Sequence, residues 1–178
     1  MGLFEQLTEA AQNQALDFLV IGGLAVSFYG YSRETADLDL LIRQTDRQAW
    51  GKLLSRLGYV LEHDGGSFAQ FAPPQQAGWP VDLMLVREPT FAPMLAESRE
   101  VEMYGARLRI PSVTHLLALK LHALKHTRGH RFLKDFQDVE GLVRVSGMDL
   151  RSEKVRELFL KYGNMELYEK VVRACTND

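Results

Sequence analysis

The chain has 178 residues, of which 46% are hydrophobic and 25% are charged, and its formal net charge is −2. This apolar content argues against a disordered chain and is sufficient for a folded core. The near-neutral charge excludes the global basic surface of a protein that coats nucleic acid, although local basic patches remain compatible with it. Because Cys175 is the only cysteine, an intramolecular disulfide and a cysteine-based zinc site are excluded.

Hydrophobic periodicity predicts an alternation of helix and strand over the first 43 residues. Apolar residues recur at helical spacing and then give way to the β-favouring run Phe18 to Ile21. Gly22-Gly23 ends this run, and a second apolar strand follows after a short helix and a loop. The predicted elements are a helix, a strand, a helix and a strand over residues 3–16, 18–21, 24–29 and 37–43.

The middle of the chain predicts one helix and several short strands. Thr45 or Asp46 can cap a helix that carries Trp50 and Leu53 and ends before Gly58. Short β-favouring runs follow, separated by glycine-containing turns. The predicted elements are a hairpin over 59–61 and 67–71, a loop over 73–78, a strand over 81–86 and a hairpin over 99–103 and 107–110. No element is predicted between residues 87 and 98.

The sequence after Ile110-Pro111 has helical periodicity throughout. Ser112 can cap the first of these helices. The predicted helices span residues 113–125, 131–145, 149–162 and 165–174. We therefore predict two domains, a βαβ-like core over residues 1–110 and a C-terminal helical bundle over residues 111–178.

Asp37 and Asp39 are the most informative residues of the chain. In a strand they point to one face with their Cα atoms about 7 Å apart, while Leu38 and Leu40 point to the other face. Two carboxylates at this spacing oppose joint ionisation unless a cation lies between them, and hard oxygen ligands suit Mg²⁺. The pair therefore predicts a metal site. The alternative is that these acids only mark an exposed strand edge.

The neighbouring segments add a phosphate site and a third acid. Gly22-Gly23 opens a short helix, where backbone amides that no side chain blocks can meet a phosphate. Asp82 interrupts an apolar strand, where a buried carboxylate is costly unless it faces a cation or solvent. Three acids on adjacent strands could hold two Mg²⁺ ions about 4 Å apart. Metal and phosphate together indicate a nucleotide, whereas the alternative places Asp82 at a strand end without a function.

These segments resemble the nucleotidyltransferase fold of the DNA polymerase β superfamily. The residues that carry the resemblance are Gly22, Gly23, Arg33, Thr35, Asp37, Asp39 and Asp82. The chain is similar in particular to small bacterial enzymes of the abortive-infection and minimal nucleotidyltransferase groups, and its segments LLALKLHALK and FLKDFQDVEGL resemble their C-terminal helices. The resemblance implies an α+β fold with a mixed β-sheet flanked by helices, followed by a C-terminal helical segment.

The activity that the resemblance implies is the transfer of a nucleoside monophosphate from an NTP to an acceptor hydroxyl, with pyrophosphate leaving. Asp37, Asp39 and Asp82 would be the catalytic residues and also the ligands of two Mg²⁺ ions, which Mn²⁺ could replace. Asp82 would complete the site on the acceptor side and could accept the hydroxyl proton.

The resemblance also implies contacts to the nucleotide. Gly22 and Gly23 would contact the β- and γ-phosphates. Many relatives have a serine where this chain has Gly23, so Ser27 is assigned as a replacement for that serine. Arg33 would be a further phosphate contact, and Thr35 would support the aspartate loop.

Lysines of the densest basic stretch, residues 120–134, complete the predicted nucleotide site because they could neutralise a triphosphate or an RNA backbone. Lys120 lies in the most apolar part of its helix, and Lys134 opens a Lys-Asp-x-x-Asp segment. The alternative is a solvated helix face on which Lys134 and Asp138 form an i,i+4 surface pair.

The acceptor stays open at the level of sequence. RNA or protein is favoured, because abortive-infection relatives act as toxins paired with an antitoxin protein. A small-molecule acceptor, as in aminoglycoside-type relatives, would call for a further carboxylate base from among Asp135, Asp138 and Glu140. The same residues are also compatible with a non-catalytic module that binds a nucleotide or a partner, and with a two-metal phosphohydrolase.

Two features of the sequence predict the location of the protein. The cysteine content suits a reducing compartment, and no apolar run approaches membrane-spanning length. We therefore expect a cytoplasmic protein that does not enter a membrane, with an oligomeric state that the sequence leaves open.

Overall fold

The computed structural model describes residues 2–75 and 78–176, with only the backbone of His130, so part of the predicted 73–78 loop lies outside the described residues. The chain forms two compact units. The first contains the residues up to Ala25 and Glu34–Ser112, and the second contains Val26–Arg33 and the residues from Val113 onwards. Residues 26–33 thus group with the C-terminal helices although they lie early in the sequence.

The first unit is built on a five-stranded mixed sheet, which confirms the predicted fold class. The strands are β1 (Leu19–Val20), β2 (Leu38–Arg43), β3 (Val60–Asp64), β4 (Phe68–Ala72) and β5 (Val81–Val86). Their spatial order is β1-β2-β5-β4-β3, in which β2 and β5 are parallel and all other neighbours are antiparallel. The central pair β2 and β5 is therefore joined by a crossover that contains the β3–β4 hairpin.

Helices and a second hairpin complete the first unit. The remaining elements of the unit are α1 (Leu3–Gln12), the start of α2 (Gly22–Phe28), a 3₁₀ turn (Gln44–Asp46), α3 (Arg47–Arg56), α4 (Glu88–Ala96) and the hairpin of β6 (Arg99–Met103) and β7 (Ala106–Ile110). Trp50, Leu53 and Leu54 of α3 are buried, as are the alternate residues Leu38 and Leu40 of β2. Asp39, between Leu38 and Leu40, therefore points to the other face of β2, on which Leu41 is also buried.

Helix α4 was not expected from the sequence. Pro89 lies in its first turn, where proline is tolerated, but Pro93 lies inside the helix and disfavours it by propensity. Burial of Phe91 and Met94 stabilises the helix against this cost. Tertiary packing thus overrides the local signal.

Arg43 ties the end of β2 to its surroundings. Its guanidinium donates hydrogen bonds to Glu88 at 2.6 Å and to Asp17 at 2.8 Å. Partial burial opposes the charge, but the hydrogen bonds to the two carboxylates outweigh it and hold the pKa of Arg43 above its ordinary value. The strand that carries Asp39 is thereby anchored at its far end.

The second unit is helical. It contains the end of α2 together with α5 (Val113–His126), α6 (His130–Ser146), α7 (Glu153–Tyr162) and α8 (Met165–Thr176). Its core is made of apolar residues from these helices, including Leu121, Val139, Phe159 and Val171. Helix α7 begins at Glu153 rather than at the predicted residue 149, because the Ser152 hydroxyl accepts a hydrogen bond from the amide of Val155 and caps the helix there.

A buried network of two basic and two acidic side chains lies inside the second unit. Asp138 is fully buried, and its carboxylate is 2.7 Å from Arg33 Nε and 2.7 Å from Lys120 Nζ. A second Arg33 nitrogen, Nη2, donates to the same carboxylate at 3.2 Å. Lys120 also lies 2.8 Å from Asp135. The alternative of a surface pair between Lys134 and Asp138 is therefore wrong, because Asp138 is buried against other cations.

No helix among the described residues is long and apolar enough to cross a membrane.

Substituting Asp138 by alanine should destabilise the protein by about 3–5 kcal/mol, since Arg33 and Lys120 would lose a buried counter-charge. The free energy of unfolding from urea titration measures this. Glu157→Ala, at an exposed acid of α7, is the control and should change stability by less than about 0.5 kcal/mol. A loss below about 1 kcal/mol for Asp138→Ala would show that the network behaves like a surface ion pair.

Candidate active site

Three carboxylates converge on the polar face of the sheet. Asp37 directly precedes β2, Asp39 lies within β2, and Asp82 lies within β5. Asp39 and Asp82 are direct partners in the parallel register of these strands. Each of the three residues is half-buried and offers one oxygen, and these oxygens all lie within 4.8 Å of one another. The structure therefore brings together the three acids that the sequence singled out.

Strand alternation explains this arrangement. Leu38 and Leu40 flank Asp39, Val81 and Leu83 flank Asp82, and all four leucine and valine side chains are buried. Because successive side chains in a strand point to opposite faces, burial of the apolar neighbours turns both carboxylates to the other face. The hydrophobic pattern of two strands thus positions the charged residues.

Hydrogen bonds orient two of the carboxylates. The Thr35 hydroxyl donates to Asp37 Oδ1 at 2.9 Å. The Gln70 side-chain amide donates to Asp82 Oδ2 at 3.1 Å, and Gln70 on β4 is the direct strand partner of Asp82. Both donors are uncharged, so they limit rotation of the carboxylates without neutralising them.

Gln70 was missed by sequence reasoning. A signal exists in the run FAQFA, where Gln70 is a polar residue between the buried Ala69 and Phe71. Alternation places Gln70 on the face opposite to Ala69 and Phe71. Its pairing with Asp82 depends on the register between β4 and β5, which could not be predicted from the sequence.

Gly22 leaves room for the Asp39 carboxylate. Its φ is +62°, in the left-handed region, and a Cβ atom there would overlap the Asp39 side chain. The backbone amide of Ile21 donates to the Asp39 carbonyl at 2.9 Å, which holds the two segments together. Gly22 therefore lies against the carboxylate cluster, and Gly23 follows it in the first turn of α2.

The other predicted site residues belong to the second unit. Arg33 and Lys120 are members of its buried ion network, and Lys134 is exposed on α6. The Ser27 hydroxyl lies 3.4 Å from the carbonyl oxygen and 3.5 Å from the amide nitrogen of Arg33, so it closes the 27–33 turn. A role of these four residues in nucleotide binding stays a prediction.

The donor set of the cluster fits a divalent cation. Three carboxylate oxygens within 4.8 Å of one another are hard ligands of the kind that divalent cations such as Mg²⁺ and Ca²⁺ take. Like charges this close repel one another, and a bound cation relieves the repulsion. The arrangement can therefore bind a metal and hold anionic oxygens beside it.

Mg²⁺ should raise the melting temperature of the protein, because a divalent cation that bound the folded carboxylate cluster and not the unfolded chain would stabilise the folded state. At about one hundred times its Kd, the expected stabilisation is about 2.7 kcal/mol. Asp39→Asn should remove this response and leave the metal-free protein at least as stable as the unsubstituted protein. Glu9→Gln, at an exposed acid of α1, should keep the full response. An equal Mg²⁺ shift in Asp39→Asn would contradict a metal site here.

Gly22→Ala should displace the Asp39 carboxylate, since the new Cβ atom would occupy its position in a backbone conformation that alanine disfavours by about 1–2 kcal/mol. We expect a lower melting temperature and a weaker Mg²⁺ response in thermal denaturation. Gly51→Ala is the matched control, because no atom lies near its Cβ position in α3. It should keep the Mg²⁺ response, and retention of that response by Gly22→Ala would be the contrary result.

Solved structures of nucleotidyltransferases share this fold. The antibiotic-resistance factor ANT(2'')-Ia, crystallised in complex with adenylyl-2''-tobramycin, aligns with a TM-score of 0.66 and 17% identity over 90% of this chain and 94% of its own. The lincomycin-bound lincosamide antibiotic adenylyltransferase LnuA aligns with a TM-score of 0.55 and 15% identity over 79% of this chain and 96% of its own.

A nucleotidyltransferase-like protein from Paracoccidioides brasiliensis aligns with a TM-score of 0.58 and 14% identity over 97% of this chain and 91% of its own. At such low identities the likeness establishes the fold alone. No curated protein matches the sequence.

A family model described as uncharacterised nucleotidyltransferase matches residues 1–176. The match covers almost the whole chain and agrees with the resemblance carried by the Gly-Gly and Asp-x-Asp segments. This protein therefore belongs to the uncharacterised nucleotidyltransferase family.

Proposed function

We propose that this nucleotidyltransferase moves a nucleoside monophosphate from an NTP to an acceptor hydroxyl and releases pyrophosphate. The observation that carries the proposal is the convergence of Asp37, Asp39 and Asp82, whose oxygens lie within 4.8 Å of one another. Family membership supports an NTP as the substrate.

The carboxylates would hold two Mg²⁺ ions, or Mn²⁺ in their place, which would supply charge neutralisation at the transferred phosphoryl group. Asp37 and Asp39 act in this proposal as ligands, with Asp37 oriented by Thr35. Asp82 acts on the acceptor side, where its carboxylate accepts the proton of the attacking hydroxyl. Gln70 limits the rotation of that carboxylate by donating to Oδ2.

The nucleotide would contact the backbone of Gly22 and Gly23, where the space that a Cβ atom of Gly22 would fill is already occupied by the Asp39 carboxylate. Arg33 and Lys120 are proposed phosphate ligands as well, although each already has a carboxylate partner. A phosphate would therefore compete with Asp135 and Asp138 for these cations. Ser27 and Lys134 complete the proposed set.

We propose RNA or protein as the acceptor, with an antitoxin as a protein partner if the chain acts as a toxin. A small-molecule acceptor is the second candidate. It is favoured by the structural likeness to ANT(2'')-Ia and LnuA, solved with adenylyl-2''-tobramycin and lincomycin respectively. A non-catalytic binding module of the same fold would bind an NTP with Mg²⁺ but release no pyrophosphate.

Incubation with each α-labelled NTP, Mg²⁺ and a single acceptor pool distinguishes these candidates. The pools are total RNA, cell protein and a mixture of aminoglycosides and lincosamides. Label that enters RNA or protein supports the proposal, and label that enters an antibiotic supports the second candidate. Labelled monophosphate released to water would indicate a hydrolase instead.

Asp37→Asn and Asp39→Asn should abolish pyrophosphate release, because each removes a proposed metal ligand. Asp82→Asn should lower the rate on the order of 10²–10⁴-fold, the usual contribution of a general base. A coupled pyrophosphate assay measures all three, with Glu9→Gln as the control. Circular dichroism should show that each variant stays folded. Unchanged pyrophosphate release by Asp39→Asn would reject the mechanism.

A further inference from the structure

Three side chains beside Asp82 form an exposed surface that we call the stacking shelf, made of His63, Phe68 and Met84. We propose that the stacking shelf binds the base of the 3′-terminal nucleoside of an RNA acceptor. The proposal rests on the proposed function and names the acceptor class of the same site.

The stacking shelf lies on the face of the sheet that carries the acids. Phe68 and Met84 are direct partners on β4 and β5. Gln70 and Asp82 are also direct partners, two residues further along the same strands. Because residues two apart share a face, Phe68 and Met84 point to the same side as Asp82. His63 on β3 pairs with Gln70 and extends this row to the edge of the sheet.

The shelf is exposed although it consists of apolar and aromatic groups. Phe68 is 42% exposed and Met84 is 37% exposed, whereas their strand neighbours Ala69 and Leu83 are buried. The His63 and Phe68 rings stack with centroids 5.1 Å apart and an interplanar angle of 21°. Gly65 permits this position of Phe68, because a Cβ atom there would run into the ring. The β3–β4 hairpin thus leaves the stacked His63 and Phe68 rings exposed to solvent.

The order of the strands places the stacking shelf on the acceptor side. Gly22 follows β1 at one side of Asp39 and Asp82, and β4 lies at the other side. In an in-line transfer, the attacking and leaving oxygens lie on opposite sides of the phosphorus. Since the proposed function has the phosphates at Gly22 and Gly23, the acceptor would approach from the side of β4.

The chemistry of the shelf favours a nucleobase. Diagonal neighbours on paired strands are about 7–8 Å apart, so one nucleoside can span from Asp82 to Phe68. Its hydroxyl would lie at the carboxylate while its base lies on the ring. Aromatic rings bind unpaired bases by stacking, with little dependence on sequence.

Binding and transfer to a short 5′-fluorescein-labelled single-stranded RNA with a free 3′ hydroxyl test the proposal. Phe68→Ala should weaken binding and lower kcat/KM for the RNA by roughly tenfold to a hundredfold, the scale of one lost base–aromatic stack. Phe68→Tyr should restore both. With the unsubstituted protein, an RNA whose 3′-terminal nucleotide is abasic should show the same reduction in affinity and in kcat/KM as Phe68→Ala shows with the intact RNA. With Phe68→Ala, removing this base should reduce affinity and kcat/KM little further.

The matched control is Leu61→Ala. Leu61 is 50% exposed in β3 but pairs with the buried Phe71, so it points to the opposite face. It should leave RNA binding, transfer and Mg²⁺-dependent NTP binding unchanged. Thermal denaturation should show that both alanine variants are folded, and NTP binding should be equal in both.

Separate outcomes overturn the two proposals. RNA labelling that does not depend on Phe68, or equal losses in Leu61→Ala, overturns the stacking shelf and leaves the proposed function standing. Phe68-dependent RNA binding without any pyrophosphate release supports the shelf and overturns the transfer reaction. Label that enters protein or an antibiotic but never RNA also overturns the shelf.

Discussion

The parallel pairing of β2 with β5 is the constraint on which the rest of the site depends. It places Asp39 directly opposite Asp82, although 43 positions separate them in the chain. A shift of one residue in this register would turn one carboxylate into the apolar side of the sheet and bring a leucine or valine into the cluster. Burial of the alternate apolar residues opposes such a shift. Burial of the hydrophobic core therefore also holds the three mutually repelling carboxylates close together.

The positions of the acids could be predicted because their signal is local. Asp37 and Asp39 share one face of an apolar strand by alternation, and Asp82 is a single acid in the apolar run VDLMLV. The resemblance to nucleotidyltransferases assigned all three acids to one site. The fold class followed from that resemblance. Gln70 escaped prediction because its importance depends on which residue of β5 it opposes. Helix α4 was not predicted because Pro93 disfavours a helix locally, and only tertiary burial stabilises the helical conformation of this segment.

The buried network shows a different reason for failure. The Lys-Asp-x-x-Asp segment has the spacing of a surface ion pair, and this spacing alone does not identify the partners of Asp138. Its partners come from residue 33 and from residue 120, so the pairing exists only after the chain has folded. Such a network is costly to assemble and costly to break, because desolvated charges must be matched one by one. The acceptor is equally hidden from local patterns, since it depends on surfaces that several strands build together.

The assignment of residues 26–33 to the second unit has a consequence for modularity. The chain leaves the first unit after Ala25, within α2, contributes Arg33 to the helical unit, and returns to the first unit at Glu34 to supply the aspartates. Neither unit is a continuous stretch of polypeptide. A fragment that ended at residue 112 would carry Arg33 without Asp138, and a fragment that began there would hold Asp138 without Arg33. Neither contiguous fragment would therefore contain the complete ion network.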